Sequence, residues 1–164
     1  MSTQFETKNL ILRELNESCI ETYLANLSEK LRTILGISSV EAERTYLEQQ
    51  LQKVNKGTTF FFCLWEKQTE TFVGMIEIRD PAYRSQCYSW LSEPFWGCGY
   101  FQEALQIILS EYCKKHSDQT MITACIDVSN QRSYHAFKKV GFTEVRRTKG
   151  PREDQYHMVF LCHC

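Results

Sequence analysis

The order in which strand-like and helix-like segments follow one another is what most constrains the fold of this chain. Thr58 to Trp65 (TTFFFCLW) is dense in aromatic and β-branched residues and reads as a strand. The polar turn Glu66 to Glu70 leads directly into Thr71 to Ile78, which predicts a hairpin, and Gln86 to Leu91 follows as another strand. After that the pattern changes. Gly97 to Gly99 opens a helix with Phe101, Ala104, Leu105, Ile108, Leu109 and Tyr112 on one face. Thr120 to Val128 reads as a strand, Asn130 caps a helix bearing Tyr134, Phe137 and Val140, and Gly141 ends it. Phe142 to Arg147 and Gln155 to Cys162 close the chain as strands around Gly150-Pro151. Strands first, then strands interleaved with helices, indicate a mixed α/β sheet.

The N-terminal part fits that frame. Asn9 to Glu14 alternates like a strand, and Asn16 can cap a helix whose stripe is Ile20, Tyr23, Leu24 and Leu27. Ser38 and Glu41 have capping-box spacing for a helix with Tyr46, Leu47, Leu51 and Val54, stopping at Gly57. No repeat, low-complexity tract or linker interrupts the 164 residues, so one domain over 1–164 is expected.

Composition excludes several function classes. The net charge is −1 with Lys and Arg spread throughout, which argues against a nucleic-acid footprint. No apolar run approaches the ~20 residues of a membrane span. Met1 to Arg13 lacks the layout of a signal peptide, so a cytoplasmic protein is expected. The eight cysteines form no C-x-x-C pair. Cys162-His163-Cys164 is poor geometry for zinc, and in a cytosolic chain scattered cysteines serve as small buried hydrophobes. No metal site is expected.

The sharpest local feature is Trp90-Leu91-Ser92-Glu93-Pro94-Phe95-Trp96-Gly97-Cys98-Gly99-Tyr100, a strand running through a turn with two glycines into a helix. Free N–H groups at a helix N-terminus, where glycines allow close approach, make an anion site. A plain strand-to-helix turn has the same look. The segment is neither a Walker loop nor a dinucleotide fingerprint, because the Gly-Lys-Ser/Thr and the third glycine are missing.

Asn130-Gln131-Arg132-Ser133, a short helix and then Lys139-Val140-Gly141-Phe142 add a second feature. With these the chain resembles the GCN5-related N-acetyltransferases (GNAT), specifically the branch that acetylates N-termini of ribosomal proteins. The likeness includes Thr7 to Arg13, Phe72-Val73-Gly74-Met75-Ile76, Trp96 to Tyr100 and Glu103-Ala104-Leu105. It covers nearly the whole chain in the expected order. The resemblance implies a splayed, mostly antiparallel sheet of about seven strands flanked by four helices, with acetyl-coenzyme A in the gap between two strands. Pantetheine would pair with the backbone near Trp90, Leu91 and Ser92. The pyrophosphate would sit on the amides of Gly97, Cys98, Gly99, Tyr100 and Phe101. Asn130 would hydrogen-bond the pantetheine arm, and Ser133 would lie near the thiol sulfur.

Two departures bear on this. Pro94 stands where the family has a Gln or Arg, and Cys98 where Lys or Arg is frequent, which removes a donor and a charge. The tyrosine that many members use as general acid falls at Phe137, leaving Ser133 for that role. Glu77, within the apolar strand Met75 to Ile78, is the candidate base, acting through water, and Glu93 is a second candidate. A sheet-edge carboxylate in solvent is the competing reading of Glu77. A strand amide near Leu91 would stabilise the oxyanion. The expected reaction is direct attack by a primary amine on acetyl-coenzyme A in a ternary complex, without metal. The acceptor is a protein N-terminal α-amine or, alternatively, a small amine such as a polyamine, amino acid or drug. A non-catalytic coenzyme-A-binding module is a third reading. The protein would be a monomer or homodimer with no nucleic-acid or membrane partner.

Overall fold

The computed structural model describes residues 3–79, 85–118 and 121–162. Among them eight strands form one sheet in the order β1-β2-β3-β4-β5-β6-β8-β7. In chain order these are β1 (Gln4–Glu6), β2 (Leu10–Glu14), β3 (Thr59–Glu66), β4 (Phe72–Arg79), β5 (Ser85–Leu91), β6 (Met121–Asp127), β7 (Thr143–Lys149) and β8 (Asp154–Leu161). Five helices accompany them: α1 (Glu17–Ala25), α2 (Glu29–Leu35), α3 (Val40–Asn55), α4 (Tyr100–Lys115) and α5 (Gln131–Val140). All neighbouring strands are antiparallel except β5 and β6. The mixed, mostly antiparallel sheet is the expected one, with one strand and one helix more than the sequence suggested. The extra strand, β1, is three residues long, and the extra helix, α2, is a seven-residue element capped by Ser28 and closed by Gly36. Both are too short to carry a clear period.

The sheet separates two apolar layers. On one side α4 and α5 bury Leu105, Ile108 and Phe137 against Phe62, Ile76 and Ile126, and Phe142, just past α5, joins them. On the other, α1 and α3 bury Tyr23, Leu24 and Leu47 against Phe61, Phe72 and Trp90. β3 and β4 are buried on both faces because they lie between these layers, which is why their sequences run apolar rather than alternating. Asn16 accepts from Cys19 N as expected, whereas the cap of α3 is Ser39, one residue beyond the predicted Ser38.

The cysteines divide. Cys19, Cys63 and Cys87 are buried as expected, and Cys98 and Cys125 are exposed. Cys113 and Cys162 are joined as a disulfide, contrary to the expectation for scattered thiols. The last turn of α4 lies against the end of β8, so the two Cα atoms come within 5.6 Å although 49 residues separate them. Such proximity is set by packing and leaves no spacing signal. His163 and Cys164, and Thr120 at the predicted start of β6, lie outside the described residues. Among the described residues no group of three or more His, Cys, Asp or Glu could hold a metal ion, and no helix is long and apolar enough to cross a membrane.

Candidate functional site

The site begins where the sheet forks. β5 and β6 run parallel and pair only at Ser85 with Ile122 and at Gln86 with Thr123. Beyond those two rungs each strand follows its other neighbour, β5 with β4 through Leu91 and β6 with β8 through Asp127. The side of β5 facing the gap from Tyr88 to Leu91 therefore has no ladder with β6, and an extended ligand could supply one. Gly74 lets β5 bend over β4. A Cβ there would stand 2.2 Å from the carbonyl oxygen of Trp90 and 2.8 Å from the Cα of Leu91. The close approach continues to Ser92, whose N–H donates to Val73 O at 2.8 Å.

After Ser92 the chain makes one 3₁₀ turn, Glu93–Phe95, and enters α4 through Gly97 and Gly99. Both glycines have left-handed backbone, φ 78° and 81°. Gly99 is the N-cap and offers no side-chain acceptor, so the first-turn amides of α4 face outward without a cap. They give the turn its positive end. The Trp96 indole donates to Leu91 O at 2.8 Å, and the Arg132 guanidinium lies 3.5 Å over the Trp96 ring, which ties α5 to the turn. Tyr100 turns its hydroxyl away to Glu66, 2.6 Å distant, and that bond pushes its phenol up to about 12. Its backbone, rather than its hydroxyl, faces the turn.

Two clefts open on the fork. Trp90, Leu91, Gly97, Gly99, Tyr100 and Phe101 line the first, of about 380 Å³, together with Asn130 and Ser133. Ser92 and Cys98 adjoin this cleft without lining it. The buried Ser92 Oγ has no hydrogen-bond partner among the described residues, and the exposed Cys98 sulfur lies 3.9 Å from Trp96 O. The second cleft, of about 670 Å³, is walled by Tyr88, Cys125, Asp127 and Arg152. Asn130, Arg132 and Ser133 line both, so they stand at the junction. Asn130 accepts from Ser133 N at 3.2 Å as the cap of α5, which leaves its amide NH₂ for a ligand. Phe137 is buried, with its ring centroid 4.9 Å from those of both Phe101 and Phe142.

The predicted base has a different setting. Glu77 is 0% exposed and lines neither cleft. It accepts from the Tyr46 hydroxyl at 2.5 Å, and its other oxygen lies 3.1 Å from Arg79 Nε, an ion pair poorly aligned as a hydrogen bond. It is thus not the solvated sheet-edge carboxylate of the competing reading. The Arg79 guanidinium lies 3.7 Å over the ring of Tyr88, and that ring forms part of the second cleft. Beside this set the Tyr23 hydroxyl donates to Glu43 at 2.5 Å and accepts from the Trp90 indole at 3.0 Å. Burial, with the nearby Glu77 charge adding to it, pushes the Glu43 carboxyl up. Sequence reasoning placed Tyr46 only on an apolar stripe and missed Glu43, Arg79 and Tyr88. The three-residue step from Glu43 to Tyr46, which puts both on one face of α3, was the available signal. Glu93, the second candidate, is half-buried and paired with Lys30 of α2 at 2.8 Å.

The acetyltransferase (GNAT) domain family matches residues 9–143. No curated protein matches the sequence. Among solved structures, the ribosomal-protein-S5-alanine acetyltransferase from Vibrio fischeri is similar at TM-score 0.78 and 16% identity, over 98% of this chain and 97% of its own. The acetyltransferase from Salmonella typhimurium that modifies the N-terminal serine of ribosomal protein L7/L12 superposes at 0.79 with 17% identity, over 94% and 96%. The ribosomal L7/L12 alpha-N-protein acetyltransferase RimL, solved with coenzyme A in disulfide linkage to one of its cysteines, superposes at 0.80 with 16% identity, over 97% and 98%. At these identities the likeness is one of fold.

Proposed function

We propose that this chain, which belongs to the GNAT acetyltransferase family, moves an acetyl group from acetyl-coenzyme A to the α-amine of a protein N-terminus by direct attack in a ternary complex. The observation that carries this reading is the fork, with two adjoining clefts that share Asn130 and Ser133. The first cleft fits the cosubstrate. The free side of β5 from Tyr88 to Leu91 would pair with the amides of pantetheine, the uncapped start of α4 would take the pyrophosphate, and the Asn130 amide would donate to the arm. The second cleft would admit the amine. Relatives of the same fold that act on ribosomal-protein N-termini support an α-amine acceptor.

The thioester supplies an activated acetyl group, and the chain has to present a neutral amine to it. An α-amine with a pKa near 8 is about a tenth neutral at pH 7, and a lysine near 10.4 less than about a thousandth. Glu77 is paired with Arg79 and closed off from both clefts, so it does not reach an amine bound in either. We assign it the positioning of Arg79 beneath Tyr88, with solvent in the second cleft taking the proton from the α-amine. A β5 amide near Leu91 would bind the oxyanion, and Ser133 would give the departing thiolate its proton.

Free thiol released from acetyl-coenzyme A reports turnover. Peptides with a free N-terminal serine or alanine should support release, and N-terminally blocked copies should not. Release with polyamines, amino acids or aminoglycosides but with no peptide would overturn the α-amine reading. Acetyl-coenzyme A at about 100 times its dissociation constant should stabilise the protein by about 2.7 kcal/mol. For a chain this long that is a rise of roughly 5–11 °C in melting temperature. No rise would overturn the cosubstrate site.

A further inference from the structure

Three strands of the half-sheet beyond the fork carry a string of side chains that amine acetylation does not use. Cys125 on β6 is exposed and lines the second cleft. Its sulfur lies 3.5 Å from Nδ1 of His157 on β8. The other ring nitrogen, Nε2, lies 2.5 Å from the Thr148 hydroxyl on β7. The amide of Gln86 on β5 approaches the same sulfur at 3.9 Å.

The pleat explains the alignment. Ile122, Ala124 and Ile126 of β6 point into the core, so Cys125 points to the other face. Cys125 pairs directly with His157, and His157 with Arg146, so all three share that face. Cys125 also stands two positions past Thr123, the last β6 residue paired with β5, where the gap has just opened. A thiol within reach of an imidazole, itself held by a third group, is the arrangement of an activated nucleophile.

We propose that Cys125 is an acetyl-accepting thiol which, when no amine fills the second cleft, takes the acetyl group from acetyl-coenzyme A with His157 as its base. This rests on the reading of the fork as the acetyl-coenzyme A site. Burial pushes the Cys125 thiol up, against an opposing pull from Arg146, so little thiolate forms unaided and the imidazole has a task. In the tautomer that gives Nε2–H to Thr148, Nδ1 is the free acceptor. The thiol proton passes to Nδ1 as the bond from sulfur to the acetyl carbon forms and the bond from that carbon to the coenzyme A sulfur breaks. The departing thiolate then recovers the proton from the imidazolium. One thioester replaces another, so no oxidant or reductant is needed and the step reverses in excess coenzyme A. The acetylated thiol would occupy the wall of the cleft that the amine enters.

The test incubates the full chain with acetyl-coenzyme A and no amine, and follows intact mass, peptide mapping and thermal melting together. One acetyl group should appear on Cys125 and be removed by neutral hydroxylamine, which cleaves thioesters and spares amides. Cys125→Ala should abolish that hydroxylamine-labile group, and His157→Gln should slow its appearance about 10²-fold. Iodoacetamide, which needs no coenzyme A, should alkylate Cys125 faster than the exposed Cys98 in the parent chain and lose that preference in His157→Gln. Cys125 left unacetylated while acetyl-coenzyme A still raises the melting temperature would overturn the proposal and leave the cosubstrate site standing. Equal acetylation of Cys98, or equal alkylation of Cys98 and Cys125 in the native parent chain, would also overturn it. Absence of any melting shift would overturn both readings.

Discussion

Replacing Glu77 by Gln separates what holds the fold from what serves the chemistry. The carboxylate is fully buried, and its charge is balanced by Arg79 at 3.1 Å. Gln keeps the shape and can still accept from Tyr46, but Arg79 is left without its counter-charge. Removing one partner of a buried ion pair costs about 3–5 kcal/mol when both groups are sealed from water. The Arg79 side chain is 34% exposed, so solvent takes up part of the loss. A penalty of about 2–3 kcal/mol is the expected size. For a chain of 164 residues that lowers the melting temperature by about 4–12 °C. Calorimetry measures the first quantity, and thiol release across pH measures the second. If Glu77 only positions Arg79 and Tyr88, turnover should fall by the same factor at every pH. If it removes the amine proton, the deficit should close at high pH, where the amine loses that proton unaided. An unchanged melting temperature would refute the ion-pair reasoning, and an unchanged rate at pH 7 would remove Glu77 from the mechanism.

Ser133→Ala should lower turnover while leaving acetyl-coenzyme A affinity near the parent value, measured by kcat against thermal shift. Because a thiolate leaves readily, the fall belongs at the low end of the ~10²–10⁴-fold range for acid–base groups. Gly74→Ala drives a Cβ to 2.2 Å from Trp90 O. It should cost about 1–3 kcal/mol as overpacking, or roughly 2–12 °C in melting temperature, and should weaken acetyl-coenzyme A by displacing β5. Retained stability and affinity together would contradict the close approach. Glu103 is held below its ordinary 4.5, because hydrogen bonds from Thr7 and Asn9 outweigh the upward push of burial. A depressed carboxylate stabilises the fold above its unfolded pKa, and that support is lost as pH falls through the folded value. Glu103→Gln should flatten the acid limb of melting temperature against pH below about 4.5.

Local chemistry made much of this architecture readable. Asn16 and Asn130 cap helices because their side chains reach N–H groups three residues on, and Gly99 starts α4 because the turn needs a left-handed residue. The glycine turn and the N-x-x-S step could be located from sequence because each lies within one short segment. The second cleft could not. Its walls come from α2, β5, β6, α5 and the β7–β8 turn, and Arg152 spans it by donating to Ile34 O while pairing with Asp127. Its partners lie 118 and 25 residues away, so no spacing hints at them. The setting of Glu77 was hidden for a similar reason. An acidic residue in an apolar strand looks the same whether it meets solvent or, as here, the hydroxyl of Tyr46 from a helix 31 residues earlier.

The bond between Cys113 and Cys162 turns one wall of the fork into a closed ring. β6, α5, β7 and β8 all lie between its two ends, so Asn130 and Ser133 are carried inside a covalent loop. A loop of 49 residues denies the unfolded chain freedom equivalent to about 4 kcal/mol. A protease that cuts once inside the loop produces no separate fragment while the bridge is intact. On a non-reducing gel the nicked protein runs as one species, and it splits in two when a thiol is added. Reduction would thus change how a single cut acts on the enzyme, from a scar the fold can hold together to the release of the segment that carries Ser133.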